Sequence, residues 1–230
     1  MEKVLEHTPE LPVIEASHGI GLLEGAVHDH NHSGEHPEDD HNHEAEQENG
    51  EHEDDHDEHL HADNGHVWMD VERYRKQLAN ITEELQNLLP ESRDVLSSSA
   101  AAYDAQLRIL SAEVKILRQQ TEGVPVVIFH EAFAYLGESL GMEVLTALSL
   151  DEETVPSAGD IAGVIEEVKY HGTALIFIEE AYGAYADKIM AETAAEVVYL
   201  DPLTTGNGDA DSYLNGMRKN LEKIRTAMEE

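Results

Sequence analysis

The stretch from His28 to Asp63 is the strongest constraint on what this chain can become. Its 36 residues hold ten histidines and fifteen Asp or Glu, with no Lys or Arg. Such a segment offers too little apolar surface to offset the entropy of ordering it, so it is expected to be a mobile loop between folded parts. Over all 230 residues, 14 Lys+Arg face 49 Asp+Glu, a formal charge of −35, of which the tract supplies fifteen units and the remainder −20. That balance argues against nucleic acid or anionic membrane as the main partner. With 40% hydrophobic residues the rest of the chain can bury a real core. The absence of cysteine excludes disulfides, thiolate zinc fingers, iron–sulfur clusters and a cysteine nucleophile, which leaves nitrogen and oxygen donors for any soft-metal chemistry.

Ahead of the tract, Glu2 to His7 reads as a helical remnant and Leu11 to Ile14 as a short strand, followed by a turn at Gly19 and Gly21. No apolar signal-peptide core follows Met1, and no window approaches the roughly 18 apolar residues of a membrane span. Behind the tract, Val71, Tyr74, Leu78, Ile81, Leu85 and Leu88 recur at helical spacing until Pro90 breaks the run. A second helix from about Glu91 carries Tyr103, Leu107, Leu110, Val114 and Leu117 at the same spacing and stops at Gly123-Val124-Pro125. At about 1.5 Å per residue its roughly 30 residues make a strut of about 45 Å.

From Val124 onward apolar runs alternate with helical segments. Val126 to Phe129, Met142 to Leu148, Ala174 to Ile178 and Glu196 to Leu200 read as strands; Glu131 to Leu140, Ser157 to His171, Tyr182 to Ala194 and Asp211 to Met228 read as helices. Repeated units of this length predict an α/β lobe with a parallel sheet covered on both faces. Ligands of such sheets bind beyond the carboxyl ends of the strands. Three of the four runs end in a side chain able to bind metal: His130, Glu179 and Asp201. Singly, each has a plain structural explanation, a helix cap or loop brace for the acids; together they point to a site. A fourth candidate, His66, lies in Asn64-Gly65-His66-Val67-Trp68-Met69-Asp70, just before the first long helix.

The segments NGHVWMD around His66, FHEAFAYLGESLGM around His130, VPSAGDIAGVIEEVKYHGTALIFIEE from Val155 and VVYLDPL around Asp201 resemble, in order, the zinc and manganese solute-binding proteins of bacterial ABC importers. The zinc-specific branch also carries a charged, histidine-rich loop ahead of the first segment. The resemblance implies a two-lobed α/β protein of the cluster A-I type with a long linking helix. It further implies that His66, His130 and Asp201 are metal ligands and that Glu179 stands behind them, orienting an imidazole. Two imidazoles and one carboxylate suit Zn2+ ahead of Mn2+. Nothing here corresponds to the family's opening strand and its early ligand histidine, so the chain is expected to start near the last helix of that half-lobe. His7 and His18 fall outside the family's ligand context, and Val155 and the Glu180-Ala181 pair depart from it at the rim of the cleft. The expected organisation is therefore a remnant of the N-terminal lobe at 1–27, the His/acid loop at 28–63, a ligand loop and helix at 64–90, the linking helix at 91–122 and the C-terminal α/β lobe at 123–230.

The function implied by the resemblance is capture of Zn2+ outside the cytoplasmic membrane, in the periplasm or on a surface lipoprotein, and its delivery to the membrane permease subunit of an ABC importer, without catalysis. The tract histidines His28, His30, His32, His36, His41, His43, His52, His56, His59 and His61 are then weak auxiliary metal ligands that concentrate divalent ions at the cleft, the plain alternative being a solvated acidic loop. A metal-dependent hydrolase built on the same His/His/Asp cluster, and a histidine-rich metal store, are the competing readings. The hydrolase needs a general base and a substrate pocket, and no HExxH-type motif supplies the former.

Overall fold

A computed structural model of the chain describes residues 7–8, 11–25, 63–147, 156–172 and 175–229. The His/acid tract, up to residue 62, and most of the expected Glu2 to His7 helix lie outside the described residues; His7 itself is helical. The expected strand at Leu11 to Ile14 is absent. Pro12 removes a ladder donor from the middle of that run, no strand among the described residues pairs with it, and Leu11 and Val13 are half-exposed. Strand pairing occurs instead at the two ends of the tract. β1 (Leu23–Glu24) and β2 (Asp63–Asn64) form a two-residue antiparallel pair with Leu23 opposite Asn64 and Glu24 opposite Asp63.

A single 3-10 turn, Val67–Met69, joins β2 to α1 (Val71–Leu88). The Asp70 carboxylate caps α1 by accepting from the backbone N–H groups of Glu72 and Arg73. After a second 3-10 turn that starts at Pro90, α2 (Arg93–Thr121) runs back along α1. The antiparallel order is set by Glu72 meeting Ser111 and Lys115 near one end and Gln86 meeting Ser97 near the other. Only part of the apolar face foreseen for α1 is covered: Val71 is buried and Tyr74 and Leu78 pack on the main core, whereas Leu88 is 45% exposed.

The remainder is the expected α/β unit. β3 (Pro125–Ile128), α3 (Ala132–Ser139), β4 (Glu143–Ala147), α4 (Ala158–His171), β5 (Leu175–Ile178), α5 (Gly183–Glu192), β6 (Glu196–Tyr199) and α6 (Ser212–Ala227) follow in chain order. The four strands pair in parallel in the order β4-β3-β5-β6. Successive residues of a strand point to opposite faces, and two apolar clusters result. Val126, Ile128, Leu175, Phe177 and Val198 face α2, α3 and α6, while Val127, Phe129, Ile176 and Ile178 face α4 and α5. Because β3 connects outward to β4 on one side and the chain then returns to β5 on the other, the strand order reverses between β3 and β5. At such a point the connections after adjacent strands splay apart and leave a crevice. The turns that leave β3 and β5 carry His130 and Glu179 respectively.

Candidate metal site

His66 begins the Val67–Met69 turn, and that turn is seated in the main core: Val67 and Met69 are wholly buried. The backbone closes on itself through Val67 N–H to Gly65 O at 2.9 Å and Met69 N–H to His66 O at 3.1 Å. His66 is thus held at the mouth of the switch-point crevice by two apolar anchors on its own turn.

The imidazole is oriented by Asn64. This asparagine is 1% exposed and its amide orientation is unambiguous: Nδ2 donates to Glu131 O at 2.8 Å, and Oδ1 accepts the His66 backbone N–H at 3.0 Å. Oδ1 also stands 2.9 Å from His66 Nδ1, with Glu131 Oε1 at 3.3 Å from the same nitrogen. Two acceptors face Nδ1, so Nδ1 carries the proton and Nε2 keeps the lone pair. A metal-binding imidazole needs this tautomer, braced from behind by oxygen. Burial lowers the pKa of His66, with the Glu131 carboxylate opposing the shift, so the ring stays neutral below the usual histidine range.

His130 follows β3 and lies edge-on to His66, with ring centroids 4.9 Å apart. Its Nδ1 accepts the Ala132 backbone N–H at 3.0 Å. Ligation through Nδ1 would displace that bond, and ligation through Nε2 would require a proton on Nδ1 and hence a turn of the ring away from Ala132. Capture of an ion by this ring therefore involves a side-chain rearrangement, whereas His66 is preset.

Glu179 and Asp201 lie on the segments that follow β5 and β6. Both line a cavity of about 580 Å³ beyond the ends of β5 and β6, together with Lys219 and Lys223 of α6. Asp201 Oδ1 accepts the Leu203 N–H at 2.8 Å and so braces its own loop, while the Asp201 backbone is bracketed by Asn220, whose Oδ1 accepts from Asp201 N–H at 3.0 Å and whose Nδ2 donates to Asp201 O at 2.7 Å. Of the four residues singled out from the sequence, the fold sets His66 edge-on to His130 and places Asp201 and Glu179 in the lining of one cavity. Among the described residues no group of three or more His, Asp or Glu is arranged to hold a metal ion.

Two contributors were overlooked in the sequence: Asn64 and Glu131. The signal for Glu131 was present in the His130-Glu131 pair at a strand end, since a carboxylate beside a ligand imidazole is a common brace. Asn64 carried no comparable signal, because its partner Glu131 O is 67 residues away.

Comparison with known proteins adds the lineage. The family described as zinc-uptake complex component A, periplasmic, matches residues 1–227. The high-affinity zinc uptake system protein ZnuA of Bacillus subtilis strain 168 is 26% identical over 220 residues, 94% of this chain and 63% of that protein. The zinc-binding protein AdcA of Streptococcus pyogenes serotype M3 is 28% identical over 221 residues, 94% of this chain and 41% of that protein. The chain thus spans less than two thirds of the length of either relative. Among solved structures, FpvC of Pseudomonas aeruginosa in complex with Mn2+ superposes with a TM-score of 0.73 at 22% identity, covering 96% of this chain and 72% of that one, a likeness of fold.

Proposed function

From the premise that this chain belongs to the zinc-uptake complex component A family, we propose that it serves as the extracytoplasmic zinc-binding component of an ABC importer, taking Zn2+ as cargo and handing it to the permease. The family is one of binding components, so no bond is made or broken. The observation that carries the reading is the preset His66 imidazole, its Nδ1–H held by Asn64 and Glu131 and its ring 4.9 Å from that of His130. The Asp201 loop is already tied to the His66 turn by Trp68 Nε1 and Pro202 O at 2.9 Å, so a turn of the Asp201 side chain toward these rings supplies the carboxylate, and Glu179, which lines the adjoining cavity, supports the cluster. Two neutral imidazoles and a carboxylate match the tetrahedral preference of Zn2+ better than the oxygen-rich shell favoured by Mn2+. The names of the relatives, a zinc uptake protein and a zinc-binding protein, support the same cargo. No helix among the described residues is long and apolar enough to cross a membrane.

The test is a zinc titration of the metal-stripped chain against a chromophoric chelator, repeated on H66A, H130A and D201A. Loss of a residue that merely braces a ligand costs about 10- to 100-fold in metal affinity, so loss of a ligand should cost at least that much in each variant. Unchanged affinity in all three would refute the site.

A further inference from the structure

We infer that the indole of Trp68 is a positioning latch that ties the His66 loop to the Asp201 loop and sets the rate at which a bound cation leaves; this rests on the reading of His66, His130 and Asp201 as ligands. Trp68 Nε1 donates to Pro202 O at 2.9 Å across 134 residues of sequence. The donor lies two residues beyond His66 and the acceptor one residue beyond Asp201, so a single hydrogen bond spans the two loops that carry the candidate ligands.

Both ends of the bond are rigid. On the first side, Trp68 sits between the buried Val67 and Met69, its carbonyl accepts from Tyr213 Oη at 2.7 Å, and its ring packs edge-on to His66 with centroids 5.1 Å apart. On the second side, Pro202 is buried and Asn220, 1% exposed, grips the Asp201 backbone at both N–H and C=O. Leu203 then takes a left-handed conformation at φ +56°, a costly one for a residue with a branched side chain. It is held there by its N–H bond to Asp201 Oδ1 and by close packing on α6 at Gly216, where a Cβ would lie 2.4 Å from the leucine Cδ2. A strained loop that is fixed this firmly does not drift; it moves only when its ties are broken.

An indole N–H is a donor with no acceptor function, and its partner here is a main-chain carbonyl, so the contact adds nothing to the charge of the site. Its effect is geometric. Separation of the two loops, which release of a cation held between them requires, must break the Trp68–Pro202 bond. A net hydrogen-bond contribution of about 1 kcal/mol corresponds to about a fivefold change in rate.

The experiment uses the full chain loaded with one equivalent of Zn2+ and follows its transfer to an excess of chelator by stopped flow, comparing wild type with W68F. The phenylalanine keeps an aromatic ring against His66 and lacks the donor. The expected result is release about fivefold faster, with H66A, H130A and D201A defective in tight binding. Because Trp68 is the sole tryptophan, a second probe is available if W68F does not fold: biosynthetic replacement of tryptophan by 3-benzothienylalanine, which preserves size and shape and puts sulfur in place of the N–H. Loss of one hydrogen bond is expected to lower the melting temperature by about 2–4 °C whether or not it acts as a latch, so the release rate decides: faster release supports the latch, and a lowered melting temperature with wild-type release leaves only a packing role and overturns it. Wild-type release from the donor-less protein, in a chain whose ligand variants lose tight binding, overturns the latch by itself. Unaltered affinity in all three ligand variants overturns the site on which it rests.

Discussion

The sharpest consequence of the geometry concerns a residue that is not itself one of the candidate ligands. In N64A the buried amide disappears and three hydrogen bonds go with it: the one to Glu131 O and the two accepted from His66. At about 1 kcal/mol each this is about 3 kcal/mol of stability, equivalent to about 6–12 °C in melting temperature for a chain of this size. The effect on zinc is separate and follows from the tautomer. With Oδ1 gone, the remaining acceptor at Nδ1 is the Glu131 carboxylate at 3.3 Å, longer than a well-formed bond. Loss of such a brace costs about 10- to 100-fold in metal affinity. The assay is a competitive zinc titration, paired with nitrogen-15 NMR of the imidazoles, which distinguishes the Nδ1–H from the Nε2–H form. N64D keeps Oδ1 but sets a carboxylate against Glu131 O and should also lose stability. If N64A bound zinc as tightly as wild type while H66A did not, the argument that Asn64 prepares His66 would be refuted.

Two other outcomes are expected. Excision of residues 28–62, which keeps Asp63 opposite Glu24, should lower the number of weakly bound zinc ions seen by calorimetry and leave the tightest site; disappearance of the tight site would show that the tract supplies a ligand to it. Glu72 is held at a pKa of about 2, from 4.5, by the Ser111 hydroxyl first, against the opposing effect of burial, and then by Lys115 and Arg75. Its folded-state pKa is depressed, so its contribution is complete above about 4.5 and is lost as pH falls towards 2; urea midpoints of wild type and E72Q should differ at neutral pH and converge near pH 2, and a gap independent of pH would refute the role of the carboxylate charge.

The α/β half was legible because its strands are short, continuously apolar and punctuated. Val126 to Phe129 and Leu175 to Ile178 are central strands buried on both faces, and such strands read as unbroken apolar runs. Their order in the sheet was not legible, since β3 and β5 look alike as sequences and differ only in which neighbours they pair with. Leu11 to Ile14 was misread for a related reason. An apolar run becomes a strand only where another edge accepts its hydrogen bonds, and this one, with Pro12 inside it, has none among the described residues. The long helix was legible from Leu107, Leu110, Val114 and Leu117, all buried as their spacing required, whereas the partial exposure of α1 was not, because amphipathic spacing says which face is apolar and not whether anything covers it.

The site divides along the same line between local and tertiary information. His130 and Asp201 stood out because the ends of parallel strands are where ligands bind, a rule that needs only the strand boundaries. The pairing of His66 with His130 needs two elements 64 positions apart to meet, and the link that makes them meet is Asn64, whose amide reaches Glu131 O on the turn that carries His130. Tyr135 adds to the same junction: its hydroxyl donates to Asn64 O at 2.6 Å and accepts the Leu23 N–H at 2.9 Å. The polar atoms that join β1, β2 and the start of α3 are therefore the ones that orient the imidazole. The same few hydrogen bonds close the base of the histidine-rich tract and present Nε2 of His66 to the crevice. The short β1–β2 pair, with Leu23 opposite Asn64 and Glu24 opposite Asp63, thus fixes the two segments that flank the tract beside the preset ring.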